Sequence, residues 1–323
     1  MREKTNAAQL IPAALGPGII FFPKIAALDH ANGFAAVLLG IVPAALVLCL
    51  SGYIGTKHKA VYFLLFLETI LAGGMFLRIY SQLIGAVLLP EYGSGIIAAA
   101  MLLTVLYGCM RGKIAGRRLA LLSVPLLLVC AALCLVPAAN DMDIKNVRIL
   151  PERLSKAVKD SVFAGFLLVF PLVSLYGEKR KDTKNKAAFA AVWLAAVSAA
   201  FIWLSRFDYA AKRPVLDLMY AGGGASSFIR RQEGLILGII TLSAYFMLKN
   251  MLECAANSLG GGQTKTGGFA LCAVLMFVCG LVPKTAETAE YWFKFAVTAG
   301  GTVFLLILPL AALSGGERRT QEK

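Results

Sequence analysis

Residues 61–89 read VYFLLFLETILAGGMFLRIYSQLIGAVLL, with Glu68 and Arg78 as the charged residues in the run. A helix rises about 1.5 Å per residue, so roughly 20 apolar residues cross the hydrocarbon core of a bilayer. This run exceeds that length. It predicts a spanning helix that tilts strongly or extends past the membrane.

The rest of the chain repeats the signal. Hydrophobic residues make up 59% of the 323 residues and charged residues 15%, with a mean hydropathy of +0.74. An ordinary soluble domain carries about 25% charged residues, and one core of this size could not hide so much apolar surface. The same ruler predicts spans at 7–28, 33–54, 61–89, 94–110, 118–138, 157–176, 187–205, 232–257, 267–283 and 288–313. The expected fold class is therefore an all-α polytopic membrane protein of about ten helices. It forms one transmembrane domain over 1–323: a first repeat over about 7–138, an outer loop at 139–156, a second repeat over about 157–313 and a tail at 314–323.

Orientation follows from the loop cations. Arg2 and Lys4, Lys57 and Lys59, Arg111 to Arg118, Lys179 to Lys186, Lys265, and Arg318 to Lys323 fall on one side. The opposite loops are longer, hold fewer cations and carry most of the exposed acids. Both termini are expected to be cytoplasmic, which an even number of spans satisfies. Arg2 and Lys4 precede an apolar run broken by Gly16-Pro17-Gly18, with no small-residue cleavage site, so a removable signal is not expected.

Several function classes drop out. The net charge of +14 lies in short clusters between apolar runs, not on a basic soluble face, so nucleic acid is not an expected partner. The cysteines form no CxxC pair and the histidines are His30 and His58, so no metal is expected. No cofactor motif, catalytic triad or carboxylate pair stands out, and enzymatic chemistry is not expected. Gly222-Gly223-Gly224 lacks the following GK[ST] of a phosphate loop and reads as a flexible loop.

Two spans carry weak points. The first contains Gly16-Pro17-Gly18-Ile19 near its middle; Pro17 lacks an amide hydrogen and clashes with the preceding turn, and glycine resists unwinding least. The sixth contains Ala164-Gly165-Phe166, with Phe170 and Pro171 beyond. Unwound backbone inside lipid must be satisfied by protein or ligand. Interrupted helices at matching places in two halves point to a transporter-type binding site. A proline kink packed against neighbours is the plain alternative.

The run Gln9 through Pro23 resembles the first span of the B-subunit family of spore germinant receptors (GerAB-type). Arg213-Pro214-Val215-Leu216-Asp217-Leu218 is similar to that family's segment before the eighth span, with Asp217 where Glu is more usual. Arg231-Gln232-Glu233-Gly234-Leu235 resembles the opening of the eighth span, and Arg78 with Leu88-Leu89-Pro90 fits the third. The resemblance is collinear over nearly the whole chain. It implies the five-plus-five inverted repeat of the amino acid–polyamine–organocation (APC) superfamily, with helices 1 and 6 broken. The implied role is a subunit in the spore inner membrane that binds a small nutrient, often an amino acid, and signals germination with A- and C-type partner subunits. A secondary amino-acid transporter of the same superfamily is the alternative, and a ligand-free membrane scaffold a third.

On this reading a zwitterionic ligand would place its carboxylate on free amides near Gly16, Gly18 and Ile19, beside Pro17, as anions favour helix N-termini. Its side chain would rest on Phe163, Phe166 or Phe170, beside Ala164 and Gly165. Ionisable residues within spans are functional hypotheses by default. Arg78 could anchor a carboxylate or snorkel along its helix. Lys249 could pair with Glu253 four residues on. It could instead hold carbonyls of the first span, standing in for the cation that sodium-coupled relatives bind there. Tyr80, Gln82 and Tyr245 could donate into a central site or serve interhelical packing.

Overall fold

The computed structural model describes residues 11–14, 18, 20–21, 39–50, 59–87, 89–139, 154–171, 232–260 and 266–310. Every regular element among them is helical: α1 Ile41–Leu50, α2 Lys59–Val87, α3 Ser94–Met110, α4 Gly112–Ala139, α5 Leu154–Val169, α6 Gln232–Gly260, α7 Thr266–Leu281 and α8 Ala286–Gly300. A π-helical segment, Gly301–Ile307, continues α8. The expected span 187–205, residues 140–153 of the expected outer loop, the loop 206–231, and Gly16, Pro17 and Ile19 lie outside the described residues.

Among the described residues two stretches, Ala60–Val87 and Ala286–Leu310, are long and apolar enough to cross a membrane. Shorter apolar helices occupy Ser94–Met110, Arg118–Leu127 and Thr266–Leu281. Their boundaries have local causes. α2 stops ahead of Pro90, since a residue before proline disfavours helical backbone. α3 ends at Met110, and Gly112 two residues on takes a φ of 81°, the left-handed conformation that closes a helix with little strain in glycine. Thr285 caps α8, its hydroxyl accepting the Thr288 amide at 3.2 Å, with Glu287 in the first turn facing the positive end of the dipole.

α2 is the axis of the bundle. α6, α7, α8 and α3 all pack on it, and α4 and α3 flank α6. The α2–α7 crossing is a backbone contact: a Cβ added at Gly74 would lie 2.8 Å from the Met276 carbonyl oxygen, and one at Gly280 would lie 2.8 Å from that of Gly74. Small residues at a crossing let helices in apolar surroundings gain close van der Waals packing. Outward faces stay apolar, with Leu103 66%, Leu122 74% and Val274 59% exposed.

The sixth predicted span corrects one expectation. α5 runs unbroken through Ala164, Gly165 and Phe166, and only residues 170–171 tighten into a 3₁₀ turn. Gly165 serves a close approach instead: a Cβ there would lie 2.5 Å from Pro43 Cγ and run into the Gly40 carbonyl. The regular ladder ends where Pro171 supplies no amide hydrogen.

These packing differences give opposite outcomes for one substitution. Gly280→Ala should lower the midpoint of thermal unfolding in detergent, at a cost of about 1–3 kcal/mol from overpacking. Gly238→Ala, with nothing within 4 Å of the new methyl, should leave it unchanged or raise it through about 1 kcal/mol of helix propensity. Equal effects at both sites would refute the glycine crossing.

Candidate functional site: unpaired polar atoms on the two central helices

α2 and α6 bury polar groups that their apolar neighbours cannot serve. Some are satisfied locally. Thr69 Oγ1 donates to the Leu65 carbonyl at 2.8 Å, and Ser81 Oγ to the Arg78 carbonyl at 2.9 Å. Tyr80 ties the helices together, its hydroxyl donating to Thr241 Oγ1 at 3.3 Å. Lys249, 1% exposed, is ion-paired with Glu253, and the Cys109 thiol donates weakly to the Lys249 carbonyl at 4.0 Å.

Others are not satisfied. Glu68 Oε1, Arg78 Nε, Gln82 Oε1, Ser243 Oγ and Asn250 Nδ2 are buried without a hydrogen-bond partner. All five belong to α2 or α6. An unpaired buried polar atom costs about 1–3 kcal/mol, and native interiors leave few of them. Such atoms invite a water or a ligand.

The expected site residues fall into two groups. Ala164, Phe166 and Phe170 are buried, and Phe170 reaches the place where α2 and α6 meet. There Thr69, Phe170, Pro171, Met247, Asn250, Met251 and Cys254 enclose a cavity of about 10 Å³, room for about one water. Asn250 Nδ2 is the unserved donor beside it. Nearby, Phe21 stacks on Phe293 at 5.0 Å and meets Phe163 edge-on at 5.6 Å, while Phe76 contacts Phe293 at 5.6 Å. Lys294 Nζ lies 5.5 Å from the centre of the Phe163 ring, within cation–π range. Gly18 is helical and buried.

Tyr80 and Tyr245 belong to the other group. They line an open groove of about 1060 Å³ bounded by α2, α3, α4 and α6. The Tyr245 hydroxyl lies against Gly108. Arg78 serves neither place directly; its guanidinium donates to Ser94 Oγ at 2.6 Å, at the first turn of α3. The two tyrosines and Arg78 thus stay apart from the Phe166–Phe170 side. The Lys249–Glu253 pair is the i,i+4 arrangement its spacing allows. The carbonyls of Gly16, Pro17 and Ile19 in the first span lie outside the described residues.

Asn250, Ser243, Thr241, Phe293 and Gly300 were not singled out from the sequence. Ser243 and Asn250, seven residues apart on one helix face, were a readable signal. Phe293 and Gly300 carried none, because an apolar span of this composition contains many Phe and Gly. Among the described residues no group of three His, Cys, Asp or Glu could hold a metal ion. No protein-family model matches the sequence, and a search of curated proteins finds no match.

The ion pair generates a double-mutant test. Lys249→Met strands the Glu253 carboxylate in the interior and should cost about 3–5 kcal/mol. Lys249→Met with Glu253→Leu should recover most of that loss. Thermal unfolding of the two single variants and the double variant reads the coupling, and additive losses would show that the pair is not buried as a unit.

Proposed function

We propose that this chain is a membrane-embedded subunit that binds a small polar nutrient, an amino acid by preference, inside its helix bundle and signals by a change of conformation. The observation that carries the reading is Asn250 Nδ2. It is an unserved donor on a central helix, at a small cavity walled by Phe170 and Thr69. A carboxylate can accept from that amide while an apolar side chain rests on Phe166 and Phe170. The cavity as it stands admits about one water, so a larger ligand requires the helices to part. A ligand shifts such an equilibrium only by its unequal affinity for the two states.

The large apolar side chains exposed on the described helices support placement in lipid, where they need no protein cover. Helix contacts support the ten-span, five-plus-five architecture. α2, α3 and α4 match the third to fifth predicted spans, and α6, α7 and α8 match the eighth to tenth. Exchanging each span for the one five later maps the α2–α3 contact onto α6–α7, α2–α7 onto α6–α3, and α2–α8 onto α6–α4. The α3–α4 contact has no α7–α8 counterpart of similar extent. Together with the germinant-receptor resemblance, these features favour a B-type subunit of the spore inner membrane. Its termini are cytoplasmic and its partners are A- and C-type subunits. A secondary amino-acid transporter is the second reading, favoured by the same architecture.

The test is amino-acid binding to the full chain in lipid nanodiscs, followed by uptake into proteoliposomes. Asn250→Leu should weaken binding at least about tenfold, the value of one hydrogen bond to a charged group, while Arg78→Gln should leave it near wild type. Binding without uptake supports the sensor and uptake supports the transporter. Failure of every amino acid to bind would overturn the ligand reading.

A further inference from the structure

Glu68 lies on α2 with Oε1 buried and unserved by any hydrogen bond. Its carboxyl sits against the backbone of Gly300: a Cβ added there would lie 2.5 Å from Oε1 and 2.8 Å from both Cγ and Cδ. At the next residue the helix changes character. Gly301 opens the π-helical segment, and a Cβ on it would lie 2.5 Å from the Phe166 ring.

The change from α to π spacing rearranges the carbonyl ladder. The Gly301 amide is shared between the Thr298 and Val297 carbonyls. Thr302 Oγ1 also donates to the Thr298 carbonyl at 2.7 Å. By the end of the segment the Leu308 amide reaches back five residues, to Val303. Segments of this kind occur often at functional sites, and carbonyls displaced from regular partners are where membrane helices coordinate small cations.

The carboxylate has no protein cation to neutralise it among the described residues. Lys249 of α6 is committed to Glu253. Arg78 is ten residues away on α2, about 15 Å along the axis, and bonds Ser94. Lys294 of α8 lies six residues before Gly300, about 9 Å, over the Phe163 ring. The other titratable side chains described on the helices around it are Tyr62 and Tyr80 of α2, Lys159 and Asp160 of α5, Tyr245 and Cys254 of α6, Cys272 and Cys279 of α7, and Glu287, Glu290 and Tyr291 of α8. None of these forms an ion pair or hydrogen bond with Glu68. Glu68 as a residue is half-buried, but a negative charge whose Oε1 is buried and unpaired is costly, so it acquires a positive charge or is neutralised.

We propose that Glu68 and the α-to-π transition at Gly300–Gly301 form a site for a small cation, either a proton or an alkali-metal ion. The carboxylate supplies one oxygen ligand and the rearranged carbonyls supply others, oxygen donors being those that hard cations prefer. Occupancy holds α8 against α2, and loss of the cation leaves a bare carboxylate facing carbonyl dipoles of like sign. This site goes beyond the nutrient reading and needs only that α2 and α8 lie in the bundle as described.

The experiment is thermal unfolding of the full chain in nanodiscs without nutrient. The midpoint is read against Na⁺ and K⁺ in a choline background at fixed pH, then against pH in choline alone. A ligand of the folded state raises the midpoint with its concentration. The wild-type midpoint should rise with the cation and saturate. Glu68→Gln should abolish the rise, and Gly300→Ala should raise the half-saturating concentration at least tenfold. A response to an alkali ion at fixed pH assigns the metal ion, and a response to pH alone assigns the proton. A wild-type midpoint indifferent to both would overturn the proposal, as would an unchanged response in Glu68→Gln. If Glu68→Gln does not fold, an unaltered half-saturation in Gly300→Ala overturns it. Loss of nutrient binding with cation dependence intact would leave this site standing.

Discussion

The apposition of α2 and α6 is the constraint on which the other packing depends. Each helix is 29 residues long, and each offers neighbouring helices a predominantly apolar surface. α7 and α8 dock on α2, α4 docks on α6, and α3 touches both. One tyrosine–threonine hydrogen bond, Tyr80 to Thr241, ties the central pair. In an apolar bundle such a bond adds about 0.6 kcal/mol on average. It serves alignment more than strength; dispersion over the whole contact holds the pair together.

Polar groups on these two helices follow two different rules. Lys249 and Glu253 satisfy each other within one helix, so their burial demands nothing from the rest of the bundle. Glu68, Arg78, Gln82, Ser243 and Asn250 each keep an atom with no protein partner. The paired charges stabilise α6 where it is most enclosed, whereas the unpaired atoms mark where a small polar species changes the energy most. Gly300 and Gly301 bring α8 close enough for Glu68 and Phe166 to press on its backbone, which couples the carboxylate to the one π-helical segment among the described residues.

Hydropathy made the helices legible. The run 61–89 became α2 Lys59–Val87, 94–110 became α3 Ser94–Met110, and 267–283 became α7 Thr266–Leu281, because lipid-length apolar runs have few alternatives to helix. The Lys249–Glu253 pair was legible from its i,i+4 spacing. Gly165 was misread: a glycine in a span marks either a break or a close approach, and only the position of Pro43 on another helix decides between them. The π segment was invisible, since Gly300 and Gly301 look like ordinary small residues of an apolar helix. Tyr80 and Tyr245 could serve a central site or interhelical packing on sequence grounds; Tyr80 bonds Thr241 across the α2–α6 contact, and both line the groove beside α3 and α4. Which way a side chain on a nearly all-apolar helix points depends on its neighbours more than on its own pattern.

The placement of the helices in lipid is the central claim, and nitroxide labels in nanodiscs test it most directly. Single labels at Leu103 of α3, Leu122 of α4 and Val274 of α7, all strongly exposed, would be probed with oxygen, which concentrates in hydrocarbon, and with a water-soluble nickel complex. The account predicts high collision with oxygen and little with nickel at all three positions. Nickel access at these positions equal to that of a water-exposed label would contradict it.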